Sequence, residues 1–398
     1  MGNQPNFYAY PFAYIFTYLS NINTILSPYF TIFVVKFRKK HTNYLQIIIM
    51  KIISIIMTYV VTIFATTHIS AQQISFNVQK IWGDGLSHCA FTSLIHYKGR
   101  YYCAFREGES HIFDKNGNAE GKIRIITSKD GRNWESVAFI GKEGIDLRDP
   151  KLSVMPDGRM LVTIGGSVYR NRILEECIPH VMFTEDGKTF TSPKPAILDK
   201  KMTSKRDWIW RITWHDGVGY GVSYNKAPDG DKNGNDVWLV KTYDAESYEA
   251  ITKLQIDGYP NEATIRFLPD GRMAIMIRRE AGDTRGWWGT SSAPYTDWEW
   301  ERMGLRLGGP DFIVLDDNRI VMGTRNYAVP GYAKTCIYTG NNNGVFEEAI
   351  VLPSGGDNSY PSIITVADEL WVSYYSAHEG TNPSIYLVKI PMSNFRKQ

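Results

Sequence analysis

Apolar and polar residues alternate on both sides of a short turn in the segment between Gly258 and Arg279. The turn is Pro269-Asp270-Gly271, and tight turns favour these three residue types. Two such runs joined by a turn predict a β-hairpin. Glu262 begins the first run and Arg278 ends the second, so antiparallel pairing brings both charged side chains to the same end of the hairpin.

Short hairpins of this kind recur along the chain and define six units. Their turns centre on Lys98-Gly99, Asp157-Gly158, Asp216-Gly217, Asp270-Gly271, Asp317-Asn318 and Asp368-Glu369. A repeat of about 50–60 residues is within the range of propellers and solenoids, and no convincing long amphipathic helix separates the units. We therefore predict an all-β, six-bladed β-propeller with four-stranded antiparallel blades over residues 72–398. The alternative is a β-sandwich with coincidental turns, since a sandwich does not need evenly spaced repeats.

A second repeated turn accompanies the hairpins. It occurs as Ser128-Lys129-Asp130-Gly131 and as Thr184-Glu185-Asp186-Gly187, and an aromatic residue follows each copy. Ser, Thr and Asp side chains close such turns by bonding to the backbone, and Gly adopts a positive φ without steric cost. Weaker copies begin at Thr242, Ser292 and Thr339.

The first 71 residues differ in character from the rest of the chain. They contain five Lys and Arg residues and no Asp or Glu. From Met50 the sequence runs through Lys51 and an apolar stretch to a small-residue end at Ala71, which is the pattern of a signal peptide. We expect residues 50–71 to be a cleaved signal peptide, residues 1–49 to be an upstream extension before the true start, and the protein to be periplasmic or secreted in a bacterium. The alternative is a membrane anchor that also uses the apolar residues between Phe12 and Val35.

Net charge and cysteine spacing exclude several classes of function. The whole chain carries +3, and without the five basic residues of the leader it carries −2. A nucleic-acid partner is therefore not expected. The four cysteines match no zinc-binding spacing, and we predict neither a metal nor a cofactor. Cys89 and Cys103 either face each other across one hairpin or are buried free thiols. We expect a monomer without stable membrane insertion.

Charged and aromatic residues fall where the inner strands of the predicted blades end. The first strands begin near His88, Arg148-Asp149, Arg211, Glu262, Asp311 and Tyr360, and the second strands end at Arg106-Glu107, Gly165-Gly166, Tyr224, Arg278-Arg279, Arg325 and Tyr374-Tyr375. Inner strands of a propeller converge on its axis, so we expect these residues to surround one pocket. Such a ring is costly to bury without a purpose. Several arginines at one point favour an anionic ligand, because guanidinium binds carboxylate through paired hydrogen bonds.

These residues resemble those of the sialidases (neuraminidases), a family of six-bladed propellers with Asp-box turns. The resemblance covers nearly all of residues 75–395, although the strict matches are local. The matching segments are the Glu262–Arg278 hairpin, Gly323-Thr324-Arg325, the segment from Asn358 to Ser362 around Tyr360, and the pocket-lining Arg148-Asp149-Pro150. The resemblance implies an exo-acting glycoside hydrolase that releases a terminal acidic sugar, sialic acid or a relative.

The resemblance also implies a role for each matching residue. A sialic acid carries a carboxylate at its anomeric carbon, which repels a carboxylate nucleophile, and sialidases use a tyrosine instead. Tyr360 would attack the anomeric carbon, and Glu262 would take the tyrosine proton. Arg278 and Arg325 would hold the substrate carboxylate. The reaction would retain the anomeric configuration.

Two departures from the family pattern concern the first blade. The family's first triad arginine is absent, and Ser87-His88-Cys89-Ala90 stands in its place. His88 would replace that arginine, with Arg148 or Arg106 in compensation. The family's acid/base aspartate has no clear counterpart in the loop from Arg106 to Asp114.

The remaining candidate site residues lie in that loop and in the predicted third blade. For the acid/base group we favour Glu107, Glu109 or His111 over Asp114. Arg211, together with Trp208 and Trp210, could contact the sugar, although tryptophans in propellers more often serve blade packing.

Two other functions fit the same residues. A propeller polysaccharide lyase, or a related propeller glycosidase, would act on uronate-containing glycans, with arginine neutralising the uronate and Tyr or His removing a proton. A non-catalytic propeller would bind a glycan without turnover. The products distinguish the three functions: free sugar, an unsaturated sugar that absorbs in the ultraviolet, or none.

Overall fold

The computed structural model describes Lys51, residues 76–225 and residues 234–395, and the propeller lies in the unit Ile74–Gln398. The predicted extension 1–49 and nearly all of the predicted signal peptide 50–71 lie outside the described residues, so both remain predictions. In the ranges that the structure does describe, no helix is long and apolar enough to cross a membrane.

Six antiparallel sheets follow one another along the chain as the predicted blades. The first strand, β1 (Asn77–Trp82), belongs to the last blade. Blade 1 consists of β2 (His88–Tyr97), β3 (Arg100–Gly108), β4 (Lys122–Ser128) and β5 (Glu135–Ile140). Blade 2 consists of β6 (Asp146–Val154), β7 (Met160–Arg170), β8 (Ile173–Thr184) and β9 (Lys194–Pro195). Blade 3 contains β10 (Ile197–Leu198), β11 (Asp207–Ile209), β12 (Thr213–His215), β13 (Val218–Asn225), β14 (Asp236–Thr242) and β15 (Ser247–Leu254).

The second half of the ring is more regular. Blade 4 consists of β16 (Pro260–Phe267), β17 (Met273–Arg279), β18 (Arg285–Ser291) and β19 (Glu299–Arg306). Blade 5 consists of β20 (Asp311–Val314), β21 (Ile320–Asn326), β22 (Lys334–Gly340) and β23 (Phe346–Val351). Blade 6 consists of β24 (Asn358–Val366), β25 (Glu369–Ser376), β26 (Ser384–Pro391) and β1, and a short 3₁₀ helix, Met392–Phe395, follows. The predicted six-bladed all-β propeller is confirmed.

Blade 3 departs from the regular four-strand plan in two ways. Its innermost strand is interrupted, so that β11 and β12 both pair with β13. The short strand β10 adds a parallel partner to β15 on the outside. The interruption lies at residues 210–212, close to the axis.

The ring closes where the two ends of the propeller meet. β1 pairs antiparallel with β26, with Asn77 opposite Lys389 and Val78 opposite Val388. The last blade is therefore built from both ends of the chain, which fixes blade 6 beside blade 1.

The hydrophobic core lies between the blades. In β17 the run Met273–Ile277 is fully buried because both faces of this strand pack against neighbouring blades. The outermost strand β19 instead buries Met303 between exposed neighbours, as expected for a strand with one solvated face. Apolar clusters join adjacent blades, and one of them contains Phe105 of blade 1 and Trp371 of blade 6.

The repeated turns close through the predicted side-chain bonds. The Ser128 hydroxyl accepts a hydrogen bond from the backbone N–H of Gly131 at 2.9 Å, and Asp130 accepts from the next two N–H groups. The copy at Thr184 uses the same bonds. The weaker copy at Thr242 does so too, with Ala245 at a φ of 61°.

The four cysteines are free and buried. In the first hairpin Cys89 lies opposite Glu107, and Cys103 lies opposite Leu94. The two thiols are therefore not cross-strand partners, and the free-thiol alternative is confirmed for this pair.

The turn glycine of blade 1 provides a test of packing between blades. Gly131 has a φ of 65°, and a Cβ at this position would lie 2.2 Å from the Trp371 ring of blade 6. Gly271 has a similar φ of 84°, but no atom of the described residues lies within 4 Å of the same position. We expect Gly131→Ala to lower the free energy of unfolding by about 1–3 kcal/mol more than Gly271→Ala, because only the first substitution overpacks a blade contact.

Denaturant unfolding of both variants measures this difference. Both substitutions carry the same cost of a left-handed alanine, so the comparison isolates the contact with Trp371. Equal destabilisation of the two variants would show that this contact between blades adds nothing.

Candidate active site

Irregularities in the inner strands bring side chains to the axis. The pairing register shifts in β2, β6, β16 and β24. Three residues within these shifts have a positive φ: Phe91 at 69°, Asp149 at 51° and Tyr360 at 48°. Such backbone is costly for a bulky residue and concentrates at functional sites. Bulges re-aim the side chains that they carry, and the Phe91 and Tyr360 rings meet with centroids 5.0 Å apart.

The Glu262 carboxylate is the centre of a hydrogen-bonded group drawn from three blades. The Tyr360 hydroxyl of blade 6 donates to Oε1, and Nη1 of Arg278 donates to the same oxygen at 2.5 Å. The other oxygen accepts from the backbone N–H of Gly309 at 2.7 Å. Glu262 is only 5 % exposed. Three donors hold this buried carboxylate in one position.

The Tyr360 phenol is kept protonated by its surroundings. Burial raises its pKa well above the usual range, and the nearby Glu262 charge raises it further, while Arg278 opposes this shift. A free phenolate is therefore disfavoured at Tyr360. Reaction at the phenol oxygen requires simultaneous proton transfer, and the carboxylate of Glu262 is already in contact with that proton.

Arg325 lies beside this group and has no carboxylate partner in the described part of the chain. Its Nε donates to the Asn358 carbonyl at 2.7 Å, and its terminal nitrogens donate to the hydroxyls of Tyr327 at 3.1 Å and Tyr375 at 3.2 Å. The residue is half-buried. A guanidinium held only by neutral groups has its charge available for an anionic ligand.

Two histidines and an aspartate form a second cluster next to Tyr360. Nε2 of His88 and Nδ1 of His111 both lie within hydrogen-bond distance of Oδ2 of Asp357, at 2.9 and 2.7 Å. The Tyr375 hydroxyl donates to the other oxygen of Asp357 at 2.9 Å. Burial lowers the pKa of His88 despite its contact with Asp357. His88 is therefore a neutral hydrogen-bond donor at the position where the sialidase resemblance expects an arginine.

Among the described residues, these three side chains form the group that could hold a metal ion. Metal-bound imidazoles normally donate their second N–H to a partner. Nδ1 of His88 is buried, and no residue that the structure describes is its hydrogen-bond partner. The contacts of His88 and His111 with Asp357 also have the length of N–H···O hydrogen bonds. The arrangement fits a hydrogen-bonded cluster better than a metal centre.

Arg148 and Asp149 lie buried on the inner strand of blade 2. Nε of Arg148 is 3.5 Å from Asp149, and Nη1 is 3.5 Å from Asp146. Burial raises the pKa of Asp149, although Arg148 opposes this, and Oδ1 of Asp149 has no hydrogen-bond partner in the described parts of the chain. Asp149 is therefore a carboxyl group with one free oxygen at the inner end of the blade.

The structure places the other two arginine candidates in buried ion pairs. Nε of Arg106 donates to Asp146 at 2.8 Å, with side-chain exposures of 1 % and 0 %. Nη2 of Arg211 lies 3.4 Å from Asp311. Trp210, beside Arg211, packs under the Tyr360 ring at 5.9 Å and is buried, so it serves packing at this point.

The two glutamate candidates from the first loop have other partners. Glu107 pairs with Arg124 at 2.9 Å and also accepts from the Trp82 indole N–H. Glu109 accepts from the backbone N–H of Lys115 at 3.1 Å. Of the three residues that we favour for the acid/base role, His111 is the one that belongs to the cluster beside Tyr360.

Three residues of the site were absent from the sequence-based candidates: Asp357, Tyr327 and Lys151. Asp357 follows two glycines three positions before Tyr360, and that position was the available signal. Lys151 is buried with its Nζ 4.5 Å from the Trp210 ring and 5.6 Å from the Tyr360 ring. Burial lowers its pKa to about 8, against the opposing effect of Asp149. No sequence pattern marked this lysine.

The six sheets form a six-bladed β-propeller, and the inner strands of its blades bring the polar group around Glu262 and Tyr360 together. No protein-family model matches the chain, and no curated protein matches it. Among solved structures it is similar to a protein of unknown function from Dyadobacter fermentans, with a TM-score of 0.67 and 20 % identity over 79 % of this chain and 99 % of the other.

Two similar structures are enzymes. An α-L-arabinanase of Penicillium chrysogenum has a TM-score of 0.61 and 13 % identity over 80 % of this chain and 99 % of the other. A sialidase of Trypanosoma rangeli has a TM-score of 0.58 and 11 % identity over 76 % of this chain, which covers 55 % of the sialidase. At these identities the likeness establishes the fold.

The Arg106–Asp146 pair leads to a prediction about stability. Arg106→Leu leaves the Asp146 carboxylate buried without its main partner, so we expect the free energy of unfolding to fall by about 3–5 kcal/mol. The control is Arg100→Leu on the same strand, which removes a pair with the exposed Glu135 and should cost less than about 1 kcal/mol. Denaturant unfolding checks both values. A fully stable Arg106→Leu variant would contradict a structural role for this pair.

Proposed function

We propose that this protein is a retaining, exo-acting glycoside hydrolase of sialidase type, which releases a terminal acidic sugar from a glycan. The observation that carries the proposal is the contact of the Tyr360 hydroxyl with the Glu262 carboxylate, itself held by Arg278 and Gly309. A nucleophile in contact with its base, and a base held by further groups, is the arrangement that covalent catalysis requires.

In this proposal the phenol oxygen of Tyr360 attacks the anomeric carbon as its proton moves to Glu262. A neutral nucleophile suits a sugar whose own carboxylate lies at the anomeric carbon, because a second carboxylate would be repelled there. Arg278 stabilises the Glu262 carboxylate before the transfer. Water then hydrolyses the tyrosine-linked intermediate with net retention of configuration.

The acidic group of the sugar is proposed to bind Arg325. This guanidinium lacks a carboxylate partner among the residues that the structure describes, whereas Arg211 and Arg106 are each neutralised by a buried aspartate. The proposal also includes export of the protein, which rests on the signal-peptide pattern of residues 50–71.

A second candidate is a propeller glycosidase that uses two catalytic carboxyl groups to act on a neutral sugar. The free oxygen and raised pKa of Asp149 favour it, since a carboxyl group of this kind suits a general acid. In that case Glu262 and Asp149 would form the catalytic pair. Tyr360 would then be dispensable for chemistry.

The proposed roles of Tyr360 as nucleophile and Glu262 as base are tested with the variants Tyr360→Phe and Glu262→Gln and a fluorogenic α-sialoside as substrate. We expect Tyr360→Phe to lower kcat by about 10³-fold or more, and Glu262→Gln to lower it by about 10²–10⁴-fold. Tyr374→Phe is the matched control, because its hydroxyl donates to the Pro353 carbonyl away from the pocket. Proton NMR of the first-formed sugar should show the retained anomer.

Three outcomes would decide between the candidates. No release of sugar by the folded, unchanged protein would refute the sialidase-type proposal. Release of a neutral arabinoside that survives Tyr360→Phe and disappears in Asp149→Asn would establish the second candidate. Formation of an unsaturated, ultraviolet-absorbing product from a uronate glycan would identify a lyase.

The role of Arg325 leads to a separate prediction about substrate binding. Arg325→Ala should raise KM for the acidic glycoside by about 10–200-fold, which corresponds to the loss of about 1.5–3 kcal/mol for a charged hydrogen bond. Arg325→Lys should recover only part of this, since lysine lacks the paired donors. Arg319→Ala, which removes a partly exposed pair with Asp317, is the control. An unchanged KM in Arg325→Ala would show that Arg325 does not bind an acidic group of the substrate.

A further inference from the structure

We propose that His111 is the residue that protonates the departing sugar oxygen, and that Asp357 is its positioning residue. This inference rests on the proposed function, and it assigns a histidine to the role that the sialidase resemblance gives to an aspartate. The two residues lie in different parts of the chain. His111 lies in the loop between β3 and β4, and Asp357 lies in the segment before β24.

The two imidazole nitrogens of His111 have different surroundings. Nδ1 lies 2.7 Å from Oδ2 of Asp357. Nε2 has no hydrogen-bond partner among the described residues, and the side chain is 48 % exposed. An imidazole that bonds a carboxylate through one nitrogen and presents the other outward is oriented for proton transfer.

The backbone around His111 is held on both sides by one buried arginine. Nη1 of Arg106 donates to the carbonyl of Ser110 at 2.7 Å, and Nη2 donates to the carbonyl of Ile112 at 3.4 Å. Arg106 is itself fixed by Asp146. The segment that carries His111 is thus tied to a fully buried ion pair, which limits its movement relative to the pocket.

Asp357 is positioned to accept a hydrogen bond from Nδ1 of His111. Its other oxygen accepts from the Tyr375 hydroxyl, and His88 shares the same Oδ2. Although burial opposes ionisation, hydrogen bonds from His111 and His88 hold the pKa of Asp357 well below its usual range. The carboxylate therefore stays ionised and is a charged hydrogen-bond acceptor for His111.

His111 also lies near the proposed nucleophile, since both rings contact Phe91. Its ring packs edge-on against Phe91 at 5.2 Å, and Tyr360 packs against the same ring at 5.0 Å. The imidazole and the phenol are therefore separated by no more than the sum of these two distances. In an exo-acting enzyme the leaving group extends outward, so its proton donor must be at the exposed rim.

The other acidic groups near the rim are less suited to this step. Glu107 is paired with Arg124, and Glu109 is bonded to the backbone of its own loop. Asp149 is 7 % exposed, and its Oδ2 faces Arg148. These contacts leave His111 as the exposed donor adjacent to the Tyr360 pair.

The proton balance of both steps is complete with these residues. In the first step the glycosidic C–O bond breaks, the leaving oxygen takes the proton from Nε2 of His111, and Tyr360 bonds to the anomeric carbon as its proton passes to Glu262. In the second step water attacks the anomeric carbon and gives a proton to Nε2. The tyrosine oxygen leaves and recovers its proton from Glu262.

The experiment compares two substrates that differ in their need for a proton. A 4-methylumbelliferyl α-sialoside has an acidic leaving group that departs without help, whereas sialyl-lactose has a sugar hydroxyl that needs protonation. We expect His111→Gln to lower kcat/KM for sialyl-lactose by about 10²–10⁴-fold and to leave the fluorogenic substrate within about tenfold of the unchanged protein. Asp357→Asn should show the same selectivity with a smaller loss.

Two matched variants and a chelator complete the design. Glu109→Gln changes the rival acid in the same loop, and His96→Gln changes a histidine on the exposed part of β2; neither should discriminate between the substrates. A chelator should leave the activity of the unchanged protein intact.

Each result supports or overturns the inference. Equal losses of His111→Gln on both substrates would overturn the proton-donor role while leaving the proposed hydrolase intact, and selectivity in Glu109→Gln would transfer the role to Glu109. Loss of activity with the chelator and its recovery with Zn²⁺ would make the cluster a metal site instead. If the unchanged protein hydrolyses neither substrate, the proposed function fails and this inference fails with it.

Discussion

Pairing between β1 and β26 is the interaction on which the rest of the structure depends. It joins the first described strand to the last blade and so brings blade 1 against blade 6. His88 and His111 of blade 1 meet Asp357 of blade 6 across 269 and 246 residues of sequence. Without ring closure these residues have no reason to be near each other. The same contact that completes the fold therefore assembles one side of the pocket.

The distribution of buried charge separates structural from available groups. Asp311 accepts from Arg266 at 2.6 Å and lies near Arg211, while Asp146 holds Arg106. These pairs satisfy one another, because an uncompensated buried charge is costly. Within the described residues, the hydrogen-bond partners of Arg325 are a carbonyl and two hydroxyls. Arg325 thus differs from Arg211, Arg266 and Arg106, each of which lies against a buried aspartate.

Sequence patterns predicted the contacts that lie within one hairpin and missed those that depend on the ring. The alternation around Pro269-Asp270-Gly271 correctly predicted that Glu262 and Arg278 meet, because hairpin geometry is local. The contact of Tyr360 with Glu262 was predicted from the sialidase resemblance. Asp357 was missed, since its partners are far away in sequence and its neighbouring glycines indicated only tight packing. The ion pair of Arg106 was equally invisible, because an arginine at a strand end looks the same whether it binds substrate or an aspartate.

The two departures from the sialidase pattern belong to a single arrangement. An arginine at position 88 would form an ion pair with Asp357 and compete with His111 for that carboxylate. A neutral His88 donates one hydrogen bond and adds no charge, so Asp357 keeps its negative charge for His111. The chain therefore has a neutral histidine beside Asp357 at the position where the sialidase resemblance expects a positive charge. If the protein binds an acidic sugar as proposed, Arg325 is the guanidinium left to pair with it, because Arg278 already contacts both Glu262 and Glu280.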